Sequence, residues 1–272
     1  MAQAEELRRL GSPEGWPIAR RDYLRALEHW KGMGDLGRVA DLEARLGRLD
    51  RERLGDLAGA SDAYGRARRS FARLGKRKQE ARVLNFLGQI AMESDRLEEA
   101  LGLQKRAQKL FAGAGDRRGE AVSLHEIGYL YDLLGEAHLS LDSYSRSLER
   151  WAGVEDRAGK ATTLHYRGIL YHSLGEYTAA LDDLEEARAL RIGTTSELAS
   201  TLTWIGWTHA SAGRLEEALP ILEQALALRV ASGNRRGEAA TETVLGRLLQ
   251  RLGRRTEGLE RHRRAFEIYM GL

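Results

Sequence analysis

The chain has 272 residues, 42% apolar and 31% charged, with 43 Lys and Arg against 40 Asp and Glu for a formal charge of +3. That apolar share is enough for a continuous core and excludes a disordered chain, and the near balance of charge removes any demand for nucleic acid. With no cysteine, no apolar run approaching the ~18 residues of a membrane span and no apolar signal stretch at the start, disulfides and thiolate metal sites are excluded, and a soluble, cytoplasmic protein is expected. Arg outnumbers Lys 37 to 6. Only three prolines occur and β-branched runs are absent, a composition that favours helices throughout.

In chain order, residues 1–34 read as a partial repeat: a stub over 1–10, then a helix over 16–31 carrying Ala19 and Ala26. Six copies of one helix–turn–helix unit follow, at about 35–75, 76–115, 116–155, 156–194, 195–233 and 234–272. Four columns of small residues set their register. The first is Ala40, Ala81, Ala121, Ala161, Ala199 and Ala239, and seven residues on comes Gly47, Gly88, Gly128, Gly168, Gly206 and Gly246. The third is Ala60, Ala100, Ser140, Ala180, Ala218 and Gly258, followed seven on by Ala67, Ala107, Ser147, Ala187, Ala225 and Ala265. Seven residues are two helical turns, so each pair of columns lies on one helix face. Antiparallel helices approach closely only where such side chains are small, and leucine in an alanine column should overpack the contact by about 1–3 kcal/mol. Leu124, Ile127, Leu130, Tyr131 and Leu134 fill the buried stripe of the first helix in the third copy, with Leu139, Leu141, Tyr144, Leu148 and Trp151 on the second.

Boundaries follow the same grammar. Gly75, Gly115, Gly193 and Gly233 sit where a helix ends in a left-handed residue. Asp35, Asp116, Asp156 and Asn234 stand ready to cap the next helix. Gly55, Gly135, Gly175, Gly213 and Gly253 turn the chain inside a repeat, with Asp95 replacing glycine in the second copy. The first repeat has one extra residue between Gly47 and Gly55, and the connection Gly193-Thr194-Thr195-Ser196 is two residues short. The last helix, 254–270, leaves Phe266, Tyr269, Met270 and Leu272 partly bare. The expectation is a longer protein, or a cap supplied by a partner or by a second copy as a homo-oligomer.

The Leu87-Gly88, Ile127-Gly128, Ile205-Gly206 and Leu245-Gly246 pairs resemble tetratricopeptide repeats, together with the alanine columns and Tyr131 and Tyr171. The resemblance implies an all-α, right-handed superhelical solenoid of antiparallel helix pairs, one continuous stack of six repeats after the partial one. The period of about 40 is longer than the family's usual 34 and lacks its closing proline, a style similar to bacterial signalling and scaffold proteins. Arg167 stands where the family places leucine, before Gly168.

The resemblance also implies that first helices line a concave groove, through residues three before, one after and four after each glycine. Those positions give a candidate partner-binding face of Asn85, Gln89, Met92, His125, Tyr129, Asp132, His165, Ile169, His172, Thr203, Trp207 and Arg247. Tyr129 and Trp207 are the expected anchors, with His125 and His165 orienting a bound backbone, while Tyr131, Tyr171 and Trp204 are expected in the inter-repeat core. His165 and His172 lie about 10 Å apart along a helix, too far for one ion, so no metal is expected. No phosphate loop, nucleophile constellation or cofactor motif occurs, so no enzyme is expected. The cluster Arg247, Arg251, Arg254, Arg255, Arg261, Arg263 and Arg264 lacks interleaved aromatics and reads first as a solvated face, with nucleic-acid binding through it a third reading behind the two below. The expected function is a non-enzymatic scaffold binding a peptide or protein in the groove. The alternative is the regulatory arm of a larger bacterial signalling protein.

Overall fold

The computed structural model describes residues 15–191, 193 and 195–272. The stub expected over residues 1–10 lies outside them, as does part of the short fourth connection. Thirteen α-helices, and no strand, occur among the described residues. The chain divides into two compact units, residues 1–150 and 151–272.

The first unit holds α1 (Gly15–Gly32), α2 (Leu36–Leu49), α3 (Leu57–Arg73), α4 (Arg77–Glu93), α5 (Leu97–Gly113), α6 (Arg117–Leu133) and α7 (Ala137–Trp151), the last ending at the boundary. Here α2, α4 and α6 are first helices, and α3, α5 and α7 their antiparallel seconds. The second unit continues with α8 (Arg157–Ser173), α9 (Tyr177–Leu190), α10 (Thr195–Ser211), α11 (Leu215–Ala231), α12 (Arg235–Arg251) and α13 (Arg255–Met270), of which α8, α10 and α12 are first helices. Among the described residues no helix is long and apolar enough to cross a membrane.

All four small columns are buried. At the glycines the contact leaves no room for a methyl group. A methyl group on Gly128 would stand 2.7 Å from the Tyr144 ring, and one on Gly206 2.5 Å from Leu222. In the third copy the small residues also hydrogen-bond. Ser140 donates to the Gly128 carbonyl and Ser147 to the Ala121 carbonyl, each at 2.8 Å, so the antiparallel faces are pinned at both ends.

The connections form as their residues dictate. Asp35, Asp56, Asp116, Asp156 and Asn234 each accept a hydrogen bond from the backbone N–H three residues on, satisfying a donor that the first helical turn leaves free. Asp95, the residue that replaces glycine, is the one non-glycine described residue at positive φ, +58°. The extra residue of the first repeat is absorbed as a π-helical turn over Asp50–Leu54 at the end of α2. That turn buries Asp50, which receives Arg20 of α1 at 2.7 Å. Arg167 does not disturb the fourth repeat: its guanidinium makes two hydrogen bonds to Asp183 of α9, at 2.7 and 2.8 Å, in the leucine's place.

Candidate functional site

The residues of the expected groove belong to both units, and the structure gives them different roles. In the first unit Asn85 is buried. Its side-chain oxygen accepts from Ser123 of α6 at 3.0 Å, and its carbonyl accepts from Gln104 of α5 at 3.2 Å. His165 of the second unit is also buried, its Nδ1 3.3 Å from Thr201 of α10. The Thr201 hydroxyl also donates to the Glu197 carbonyl at 3.0 Å and accepts from Arg191 at 2.9 Å. Thr203 bonds the Ala199 carbonyl and lies 3.3 Å from Thr241 of α12. In these three copies the position three before the glycine, expected on an open surface, meets the position five before the next glycine inside the contact between first helices. For Asn85 and His165 the surface placement is corrected: buried polar groups require partners, and the neighbouring repeat supplies them.

The position one after glycine is half-buried in four copies and exposed at Arg48 and Arg247. Gln89 is held on both sides. Arg51, from the π-helical turn, donates to its side-chain oxygen at 2.7 Å, and Gln89 donates to Glu126 of α6 at 3.1 Å. Arg51 also pairs with Glu93. This ladder ties three successive repeats together. Burial pushes the Glu126 carboxyl up, partly offset by the Gln89 hydrogen bond and the Arg51 charge.

Met92 packs with Leu97, Leu101 and Leu130 and is part of the core margin. The His125 ring lies against Tyr144, centroids 5.5 Å apart, and burial pushes its pKa down to about 4, so it is neutral at pH 7. Tyr129 and Asp132 are half-buried, and burial raises the Asp132 carboxyl.

In the second unit Trp207 stacks on Trp204, centroids 4.8 Å apart and planes at 22°. His172 of α8 closes on both indoles at 5.1 and 5.5 Å and on Tyr177 at 5.6 Å. Its Nδ1 lies 3.0 Å from the Thr208 hydroxyl, which also hydrogen-bonds the Trp204 carbonyl at 2.7 Å. Burial lowers the His172 pKa. These four side chains form one half-buried aromatic cluster, with Trp204 reaching inward to Leu181, Leu184 and Ile205. Ile169 is half-buried beside them in sequence. His165 and His172 hold separate threonines, and no cluster of three metal-ligating side chains occurs among the described residues.

The open space on the first-helix face of the first unit takes in Asn85 and Gln89 of the expected residues but is centred on others. Between α2 and α4 a cavity of about 510 Å³ is lined by Asp41, Ala44, Arg45, Arg48, Phe71, Gln79, Arg82, Val83 and Phe86. A second, of about 250 Å³ between α4 and α6, shares Arg82 and Phe86 with it and adds Asn85, Gln89, Arg118 and Val122. Phe86 stacks on Tyr64 at 5.2 Å, and the Arg48 guanidinium lies 5.6 Å from its ring. Arg82 and Phe86 were not among the expected site residues. A signal for Phe86 existed: two before each glycine the copies read Arg45, Phe86, Glu126, Tyr166, Trp204 and Val244, a column with no shared chemistry. The arginine cluster near the end of the chain is partly neutralised, Arg254 by Glu257, Arg261 by Glu242 and Arg263 by Glu267.

Repeated antiparallel helix pairs, packed through small residues with polar ladders between first helices, define an all-α repeat protein. The tetratricopeptide-repeat family model matches residues 133–192 and 197–270, and over these residues the chain is built of tetratricopeptide repeats. Among solved structures the chain is similar to BtubC from P. vanneervenii, with 19% identity and a TM-score of 0.69, covering 84% of this chain and 92% of that one. It is similar to the apo form of RapI at 15% identity and a TM-score of 0.69, covering 85% and 97%. YrrB, described as a tetratricopeptide-repeat protein with an unusual peptide-binding site, matches at 20% identity and a TM-score of 0.52, covering 76% and 93%. At these identities the likeness is one of fold. No curated protein matches the chain in sequence.

Proposed function

We propose that this chain is a non-enzymatic interaction scaffold that binds an extended peptide segment across the first helices of its first unit. The observation that carries the reading is the pair of adjoining cavities meeting at Arg82 and Phe86. They offer an apolar floor of Phe71, Val83 and Phe86 with Arg82 shared between them; Arg45, Arg118 and Arg48, which lies 4.0 Å from Glu52, also line them, against the two carboxylates Asp41 and Asp116. Asp116 is already engaged, capping α6 and lying 3.8 Å from Lys78. That balance suits a segment with an apolar or aromatic side chain next to carboxylates, the anchor-and-rim arrangement of interface hot spots. YrrB, with its peptide-binding site on the same fold, supports the class of ligand.

The test is selection from a displayed random-peptide library on the intact chain, followed by affinity measurements on the enriched peptides. Phe86→Ala and Arg82→Glu should each weaken binding about fivefold or more. Enriched peptides that bind both folded variants as well as the original chain would refute the site.

A further inference from the structure

Second helices hold the next repeat through a recurring leucine. Leu101 of α5 packs with Leu130 of α6, Leu181 of α9 with Ile205 of α10, and Leu219 of α11 with Leu245 and Leu248 of α12. The corresponding residue of α13, Leu259, is 63% exposed. Phe266, seven residues on in the place of Leu226, is 62% exposed, and Met270, four further, is 73% exposed. Offsets of 7 and 11 put these three on one helix stripe.

The rim of this stripe differs in charge from its counterpart one repeat earlier. Ala210 and Leu215, which pack in the cluster that holds α12, are replaced by Gln250 and Arg255. With Arg247, Arg251 and Leu259 these line an open cavity of about 670 Å³ that no carboxylate enters. Arg251 donates to the Ala210 carbonyl at 2.6 Å, whereas Arg247 and Arg255 have no acidic partner among the described residues.

We propose that this face binds an amphipathic helix of a partner protein, laid along Leu259, Phe266 and Met270, with carboxylates on its flank meeting Arg247 and Arg255. The template is inside the molecule: Val244, Leu245 and Leu248 of α12, with Leu252 just after it, share one apolar cluster with Leu219 and Leu226 of α11, a helical apolar stripe. Arginine in the place of Leu215 asks for an acidic residue where α12 offers an apolar one. A second copy meeting this face with its own sets arginine against arginine, so the charge selects a different, acidic helix. The site shares no residue with the Arg82–Phe86 cavities and does not rest on that reading.

Three fluorescein-labelled helical peptides of about 18 residues test it. One has a leucine stripe with glutamate flanks, one the same stripe with lysine flanks, and one glutamate flanks with the stripe changed to serine. Measured by fluorescence anisotropy on the full chain, the first should bind at least about tenfold tighter than the other two. Leu259→Ser with Phe266→Ser, both at exposed positions and checked for retained helicity, should cut its binding about tenfold or more. Arg247→Glu with Arg255→Glu should reverse the preference to the lysine-flanked peptide, and Phe86→Ala should leave it unchanged. Equal binding of the glutamate- and lysine-flanked peptides overturns the proposal. So does a concentration-dependent dimer, seen by light scattering, that the Leu259 and Phe266 substitutions dissolve, since it would assign the face to a second copy.

Discussion

Arg167 and Asp183 face each other across the α8–α9 pair with two hydrogen bonds, at 2.7 and 2.8 Å, where the other copies place leucine or isoleucine before the glycine. Asp183 is buried and Arg167 half-buried. The Asp183 hydrogen bond holds the guanidinium's pKa above its ordinary value. Arg167→Leu, which restores the family residue, should therefore destabilise the second unit by about 2–4 kcal/mol, because it strands a buried carboxylate. Arg167→Leu with Asp183→Leu should recover most of that loss. Urea midpoints of the two variants decide it, and equal destabilisation would show that the pair is not coupled.

The helical glycines divide into two kinds, and alanine separates them. Gly128→Ala drives a methyl to 2.7 Å from the buried Tyr144 ring and should cost about 1–3 kcal/mol. Gly102, inside α5, has nothing within 4 Å of an added methyl, so Gly102→Ala should stabilise by about 0.5–1 kcal/mol through helix propensity. Thermal unfolding of the two variants should move in opposite directions.

Asp95 turns the chain between α4 and α5 at φ +58°, where its sister repeats use glycine. A side chain at that φ is strained relative to glycine. Asp95→Gly should raise the denaturation midpoint, by about 0.5–1 kcal/mol, whereas Gly135→Asp, at φ +77°, should lower it by a similar amount.

The neutral His125 ring makes stability depend on pH. Its folded pKa of about 4 lies below the unfolded value of 6.5, so the unfolded chain binds the proton more tightly between those values. The contribution is fully present above pH 6.5 and is lost as pH falls towards 4, about 2–3 kcal/mol after allowance for partial exposure. His172 and His209, also lowered by burial, act in the same direction. The raised carboxyls of Glu43, Asp50 and Glu126 act in the opposite one. His125→Gln isolates the effect: the gain in urea midpoint from pH 4.5 to 7 should be smaller in the variant. An unchanged gain would place the dependence on other groups.

The sequence by itself determined the helices, their register and their connections. Small residues at seven-residue offsets, glycine at left-handed turns and aspartate at helix starts are local requirements of backbone geometry, and each found its place, from Asp116 capping α6 to Gly128 beneath Tyr144. Even the extra residue before Gly55 was legible as a number, although not as the π-helical turn that aims Arg51 at Gln89. Only the tertiary structure decided which polar residues meet solvent and which meet the next repeat. Asn85 and Gln89 are four residues apart on one helix, yet Asn85 is enclosed by Ser123 and Gln104 while Gln89 bridges Arg51 and Glu126. The distinction depends on how far one first helix is rotated and shifted against its neighbour. Helix period describes the face a residue shares, whereas burial depends on what the neighbouring helix brings to that face, from residues almost 40 positions away.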